Sequence, residues 1–111
     1  MRMWSAPPHS MCRRHLLGEH LEMHMFVGAI ARGIRLGSFV SKGLVNTAKI
    51  QRRHDTLAFE MEARGYRHES PLRYDDLLAA GKIDRTASLA ELHRRCPECR
   101  ALYQRNQRIR R

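Results

Sequence analysis

Lysine is scarce in this chain of 111 residues: Lys42, Lys49 and Lys82 stand against eighteen arginines. Acidic residues are scarce as well, 11 Asp and Glu beside 21 Lys and Arg, which leaves a formal net charge of +10. Such an excess favours polyanionic partners, and the planar donor fork of arginine suits phosphate, so the balance points to nucleic acid. Cysteine is limited to Cys12, Cys96 and Cys99. That odd, small number excludes a disulfide scaffold and points to a reduced, cytoplasmic protein. Long apolar runs are missing too. The stretch Met1-Arg2-Met3-Trp4-Ser5-Ala6-Pro7-Pro8 holds no apolar core of a secretory leader, and no segment is apolar over membrane-spanning length. What is present is a hydrophobic fraction of 42%, enough for one modest core in one small domain.

Pro7 and Pro8 dictate an extended N-terminal arm. Ser10 is placed to cap a long helix from about Met11 to Arg32, in which Met23, Phe26, Val27, Ile30 and Ile34 recur at helical spacing. Gly33 to Gly43 reads as a connector. Asn46 or Thr47 caps a second helix carrying Ile50, Leu57, Ala58 and Met61, which stops at Arg64-Gly65. Leu77 to Ala80 predicts a short helix ended by Gly81, and Asp84 to Ser88 offers caps for a last helix through Leu89, Leu92 and Leu102. The expected fold is all-α: a compact single-domain bundle of three to four helices behind an extended arm. Residues 1–99 form the domain, and 100–111 form a flexible basic tail containing Arg100, Arg105, Arg108, Arg110 and Arg111.

His15, Glu19 and Glu22 lie at i, i+4 and i+7, so they share one stripe of the first helix, separate from its apolar face. By spacing alone this stripe is either a solvated charge line or a site that combines two carboxylates with an imidazole. His20 and His24 are also four apart, but the sequence lacks the His-Glu-x-x-His order of a zinc hydrolase helix. Cys96-Pro97-Glu98-Cys99, with His93 three residues before it, resembles half of a zinc knuckle. A closed tetrahedral site needs more ligands, and Cys12 is the one remaining thiol. The expectation is therefore no metal and no cofactor, with Cys96, Cys99 and His93 as the weak candidates.

The run His15-Leu16-Leu17-Gly18-Glu19-His20-Leu21-Glu22, followed by Phe26-Val27-Gly28-Ala29, resembles the first helix of the pyrimidine-dimer DNA glycosylases of the phage endonuclease V type. Leu57, Glu60 and Arg64-Gly65-Tyr66 match the end of a second helix, and the resemblance covers roughly residues 1–70. It implies a compact helical repair enzyme whose nucleophile is the α-amino group of its first residue. Aligned without gaps, Glu22 falls on the family's catalytic glutamate, Met1 on the nucleophile, Arg2 on the arginine that follows it, and His15 on a family histidine. Arg2 is too large for removal of the initiator methionine, so this register expects Met1 to be retained.

An α-amine suits the implied chemistry. Its ordinary pKa of about 7.7–8.0 leaves part of it unprotonated near neutrality, whereas a lysine near 10.4 needs strong desolvation. The resemblance thus implies attack on deoxyribose C1′, a Schiff base, and β-elimination at the abasic site, with Glu22 moving protons.

Two family arginines on the DNA side of the first helix are replaced here by Leu21 and Met25. Arg13, Arg14, Arg32, Arg35, Lys49, Arg52 and Arg53 are the candidates to rebuild a phosphate-tracking surface. The expected partner is damaged double-stranded DNA, bound by a monomer at the nucleoid and away from membranes. A noncatalytic nucleic-acid-binding module, or a zinc-stabilised interaction protein, is the competing expectation.

Overall fold

The computed structural model describes residues 1–109 and is helical, with no strand among them. A 3₁₀ turn at Pro8–Ser10 leads into α1 (Arg13–Ala31). The short α2 (Gly37–Ser41) and a 3₁₀ turn at Thr47–Lys49 precede α3 (Ile50–Ala63), and α4 (Arg85–Arg95) and α5 (Pro97–Ile109) close the chain. α1 packs along α3, and the fully buried Phe26, Leu16, Met23, Ile50, Leu57 and Leu92 form the centre of the core together with Met3 and Met11. No described helix is long and apolar enough to cross a membrane.

α1 starts later than the sequence suggests. Ser10 sits in the 3₁₀ turn and accepts a hydrogen bond from Asn106 Nδ2 (3.2 Å), so the capping role passes to Cys12, whose Sγ accepts from the His15 amide (3.5 Å). The expected end of α3 is where the sequence puts it. Gly65 takes a φ of +80°, and the amides of Gly65 and Tyr66 return to the Glu62 and Met61 carbonyls at 2.9 Å each. Asn46 and Asp84 cap the turn before α3 and the start of α4 by accepting from Ala48 (3.1 Å) and Ala87 (3.0 Å).

Three expectations are corrected. Leu77 to Ala80 form no helix. The Asp76 carboxylate accepts from the Leu78 and Ala79 amides (3.0 and 2.9 Å), Ala79 is driven to a φ of +47°, and the Ala80 amide donates to Thr47 Oγ1 (2.8 Å). The single last helix is two. Pro97 holds Cys96 extended (φ −132°, ψ 98°) and then opens α5, as a proline does at a helix start. Residues 100–109 continue α5 instead of trailing from the domain, and Asn106 fastens that helix to His9 O (3.3 Å) and Ser10 Oγ. Arg110 and Arg111 lie outside the described residues.

Gly81 has a different task from ending a helix. Its φ is +91°, and a Cβ there would overlap the Val45 carbonyl oxygen, a backbone atom that cannot swing aside. Gly81→Ala is expected to destabilise the fold by about 2–4 kcal/mol, through combined strain and overpacking, as a drop in the thermal midpoint.

Candidate active site

The arm lies extended across α1, and its alternate amides find alternate partners, as period-two backbone requires. The Arg2 amide donates to Glu22 Oε2 (3.3 Å), the Met3 amide to Leu44 O (2.7 Å), and the Trp4 amide to Glu19 Oε2 (3.1 Å). Ser88 of α4 donates to Trp4 O (2.6 Å), and the buried Trp4 ring anchors the arm in the core. Ser5 turns the chain with a φ of +56°. These ties bring the Met1 amine to 4.0 Å from Glu22 Oε1, with both groups half-buried.

The two carboxylates of the stripe differ in environment. Glu19 is fully buried and held by Arg53 from α3 through Nε to Oε2 (2.6 Å) and Nη2 to Oε1 (2.8 Å), a bidentate ion pair. Glu22 faces the amine, and burial lifts its carboxyl above the usual carboxylate range, opposed by the Arg2 amide and the Met1 amine. A carboxylate facing a nitrogen is placed to accept a proton from it and to return one. Arg53 is therefore a structural partner of the site as well as a candidate for phosphate. Arg53→Ala leaves Glu19 buried without a counter-charge, so it is expected to cost about 3–5 kcal/mol in a denaturant melt, whereas exposed Arg52→Ala leaves that melt unchanged.

Other candidates separate. The Arg2 guanidinium stacks over Trp4 (3.8 Å to the ring centroid) and donates to Ser88 Oγ (3.2 Å), so its backbone amide, not its side chain, touches Glu22. His15 turns Nδ1 toward Cys12 Sγ (3.2 Å) and Cys99 Sγ (3.8 Å), and its ring meets Trp4 edge-on. Burial, helped by Arg14, holds this imidazole below its ordinary pKa. Arg32 lines a groove of about 260 Å³ with Met1, Met25, Ile34, Leu36 and Phe39, beside the amine. Lys49, Arg52 and Arg53 line a second cavity of about 240 Å³ with Met3, Ser5 and Arg85. Arg85 was not among the candidates; as the first residue of α4 it reaches this cavity only through the tertiary fold. Arg35 is exposed beyond the end of α1, while Arg13, stacked over Tyr66 at 4.8 Å, and Arg14 are at the opposite end, about 28 Å away along the helix axis.

Two groups of side chains carry metal-ligand chemistry. Cys12, His15, Cys96 and Cys99 bring their ligand atoms within 4.8 Å of one another, as do His20, His54 and His68. His93 joins neither and stacks against Tyr103 at 5.0 Å. In the histidine group, His54 is already engaged, with Nδ1 at 2.8 Å from Asp55 Oδ1 and Nε2 at 3.1 Å from Ser70 O. His20 packs at ring distances of 4.6–5.1 Å from His24, His54 and His68, and His68 in turn faces Glu62.

Burial, then the neighbouring imidazoles, pushes His20 down from 6.5 to about 4. Between those values the unfolded chain takes up a proton that the folded chain refuses, so stability is complete above about pH 6.5 and falls as pH drops toward 4. A loss of about 3 kcal/mol from His20 is expected across that window, read as a falling thermal midpoint.

Compared with known proteins, the chain matches the family described as pyrimidine dimer DNA glycosylase over residues 1–74, a span that contains the arm, α1, α2 and α3. No curated protein and no solved structure matches it.

Proposed function

The chain belongs to the pyrimidine dimer DNA glycosylase family, and on that premise we propose that it excises a damaged base and then cleaves the strand at the abasic site, with the Met1 amine as nucleophile. The observation that carries this reading is the 4.0 Å approach of that amine to Glu22 Oε1 within the matched segment. The unprotonated amine adds to C1′ as the glycosidic C–N bond breaks, and the departing base takes a proton. Glu22 takes a proton from the nitrogen of the adduct and delivers it to the ring oxygen, so that the N,O-acetal opens to a protonated Schiff base. The Glu22 carboxylate left by that transfer takes the C2′ proton as the C3′–O bond breaks and the 3′ phosphate leaves, and water then hydrolyses the imine to release the amine.

The arm supports this chemistry by holding the nucleophile in place. Amides at Arg2, Met3 and Trp4 are each hydrogen-bonded, so little orientational freedom remains to be lost when the sugar arrives. The duplex must extrude a nucleotide to expose C1′, which is least costly where pairing is already damaged. Lys49, Arg52 and Arg85 in one cavity beside the arm, and Arg32 in the groove beside Met1, suit the phosphates flanking such a nucleotide. The protein acts on damaged duplex DNA as a monomer.

The test is a nicking assay with tag-free protein on duplexes carrying a single pyrimidine dimer, an abasic site or no lesion. Cleavage of the first two and sparing of the third is expected. Equal binding to all three with no cleavage would instead identify a noncatalytic DNA-binding module.

A further inference from the structure

We propose that Cys12, His15, Cys96 and Cys99 form a closed tetrahedral site for a structural zinc ion, which staples the start of α1 to the junction of α4 and α5. The reading is independent of the glycosylase assignment. Half of the ligand set, Cys96 and Cys99, lies outside the segment that matches the family.

The geometry fits the ion. A tetrahedron with Zn–S near 2.3 Å and Zn–N near 2.0 Å has S···S edges of about 3.8 Å and S···N edges of about 3.5 Å. Cys12 Sγ is 3.9 Å from Cys96 Sγ, and His15 Nδ1 is 3.2 Å from Cys12 Sγ and 3.8 Å from Cys99 Sγ. No pair is close enough for a disulfide, and all three cysteines are free and buried. The ligands come as Cys-x₂-His at the head of α1 and Cys-x₂-Cys at the head of α5, a spacing that lets one helical turn present two ligands to one ion.

The backbone is arranged for thiolates. The Cys12 amide donates to Cys99 Sγ (3.2 Å), the Cys99 amide to Cys96 Sγ (3.3 Å), and the His15 amide to Cys12 Sγ (3.5 Å). Both helices direct their N-terminal, positive ends at the sulfurs. Three thiolates, one neutral imidazole and a divalent cation sum to a single negative charge, in surroundings where Arg14 and Arg95 act on His15 together with Glu98 and Glu19. The histidine group offers no comparable set, because both ring nitrogens of His54 are already bonded within the protein.

A metal here would also serve the arm. The His15 ring meets Trp4 edge-on at 6.1 Å, and Trp4 is in turn held through its carbonyl by Ser88 of α4. The staple thus fixes the two elements between which the arm is clamped. Metal binding to the folded chain alone would add its free energy to the packing that already buries Leu92, Cys96 and Cys99.

The experiment is elemental analysis of tag-free protein purified without chelator, followed by cobalt substitution. About one zinc per chain is expected, together with intense visible bands and a thiolate-to-cobalt charge-transfer band once Co²⁺ replaces it. The Cys96→Ser/Cys99→Ser double variant should lose the metal. His15→Cys should keep it, since four thiolates also hold zinc, and its cobalt spectrum should shift toward the all-thiolate type. Metal-free protein that neither binds added Zn²⁺ nor gives the charge-transfer band would overturn the proposal. One zinc per chain retained in the double variant would overturn it equally, by placing the ion elsewhere.

Discussion

Glu22→Gln is expected to slow strand cleavage by about 10²–10⁴-fold while leaving duplex affinity and the thermal midpoint nearly unchanged. The substitution preserves size and can still accept the Arg2 amide, so the arm keeps its place. What disappears is the negative charge facing the Met1 amine and the site that accepts and returns protons. Because Glu22 is half-buried and Arg53 is committed to Glu19, the buried ion pair of the site is left intact by the change. Single-turnover nicking, gel-shift titration and a melt on the same preparation separate these effects. Undiminished turnover would remove Glu22 from the mechanism.

The second large effect concerns the amine itself. A permanent peptide fused ahead of Met1 turns that nitrogen into an amide, whose lone pair is delocalised and not nucleophilic. It also forces extra chain through a half-buried position between Glu22 and the groove lined by Arg32 and Phe39. Cleavage by the fusion is expected to fall to background and to return when a protease removes the added residues and regenerates Met1. A fusion as active as the freed protein would contradict the assignment of the nucleophile.

Local rules made the helix ends readable. Gly65, Asn46 and Asp84 act within a few residues of themselves, and the structure uses each as its chemistry suggests. The same rules were available at Cys96-Pro97, where proline splits the last helix. The stretch Leu77 to Ala80 misleads because its apolar residues carry no information about Asp76, whose carboxylate captures the amides a helix would need. The Met1 and Glu22 pairing came into view through the family resemblance, since no periodicity relates an arm to a helix. Arg53 and Glu19, 34 positions apart, and His20, His24 and His54 meet only because α1 packs on α3. The cysteine pair was legible as half a metal site. Its other half, Cys12 and His15, is separated from it by more than eighty residues and is joined by the fold.

The most direct measurement is borohydride trapping on abasic duplex DNA, followed by peptide mapping of the crosslinked protein. Reduction of the imine should fix the DNA to the protein in a stable complex, with the adduct on the α-nitrogen of Met1. A crosslink mapping to a lysine side chain, or no crosslink under conditions in which the strand is cut, would contradict the account.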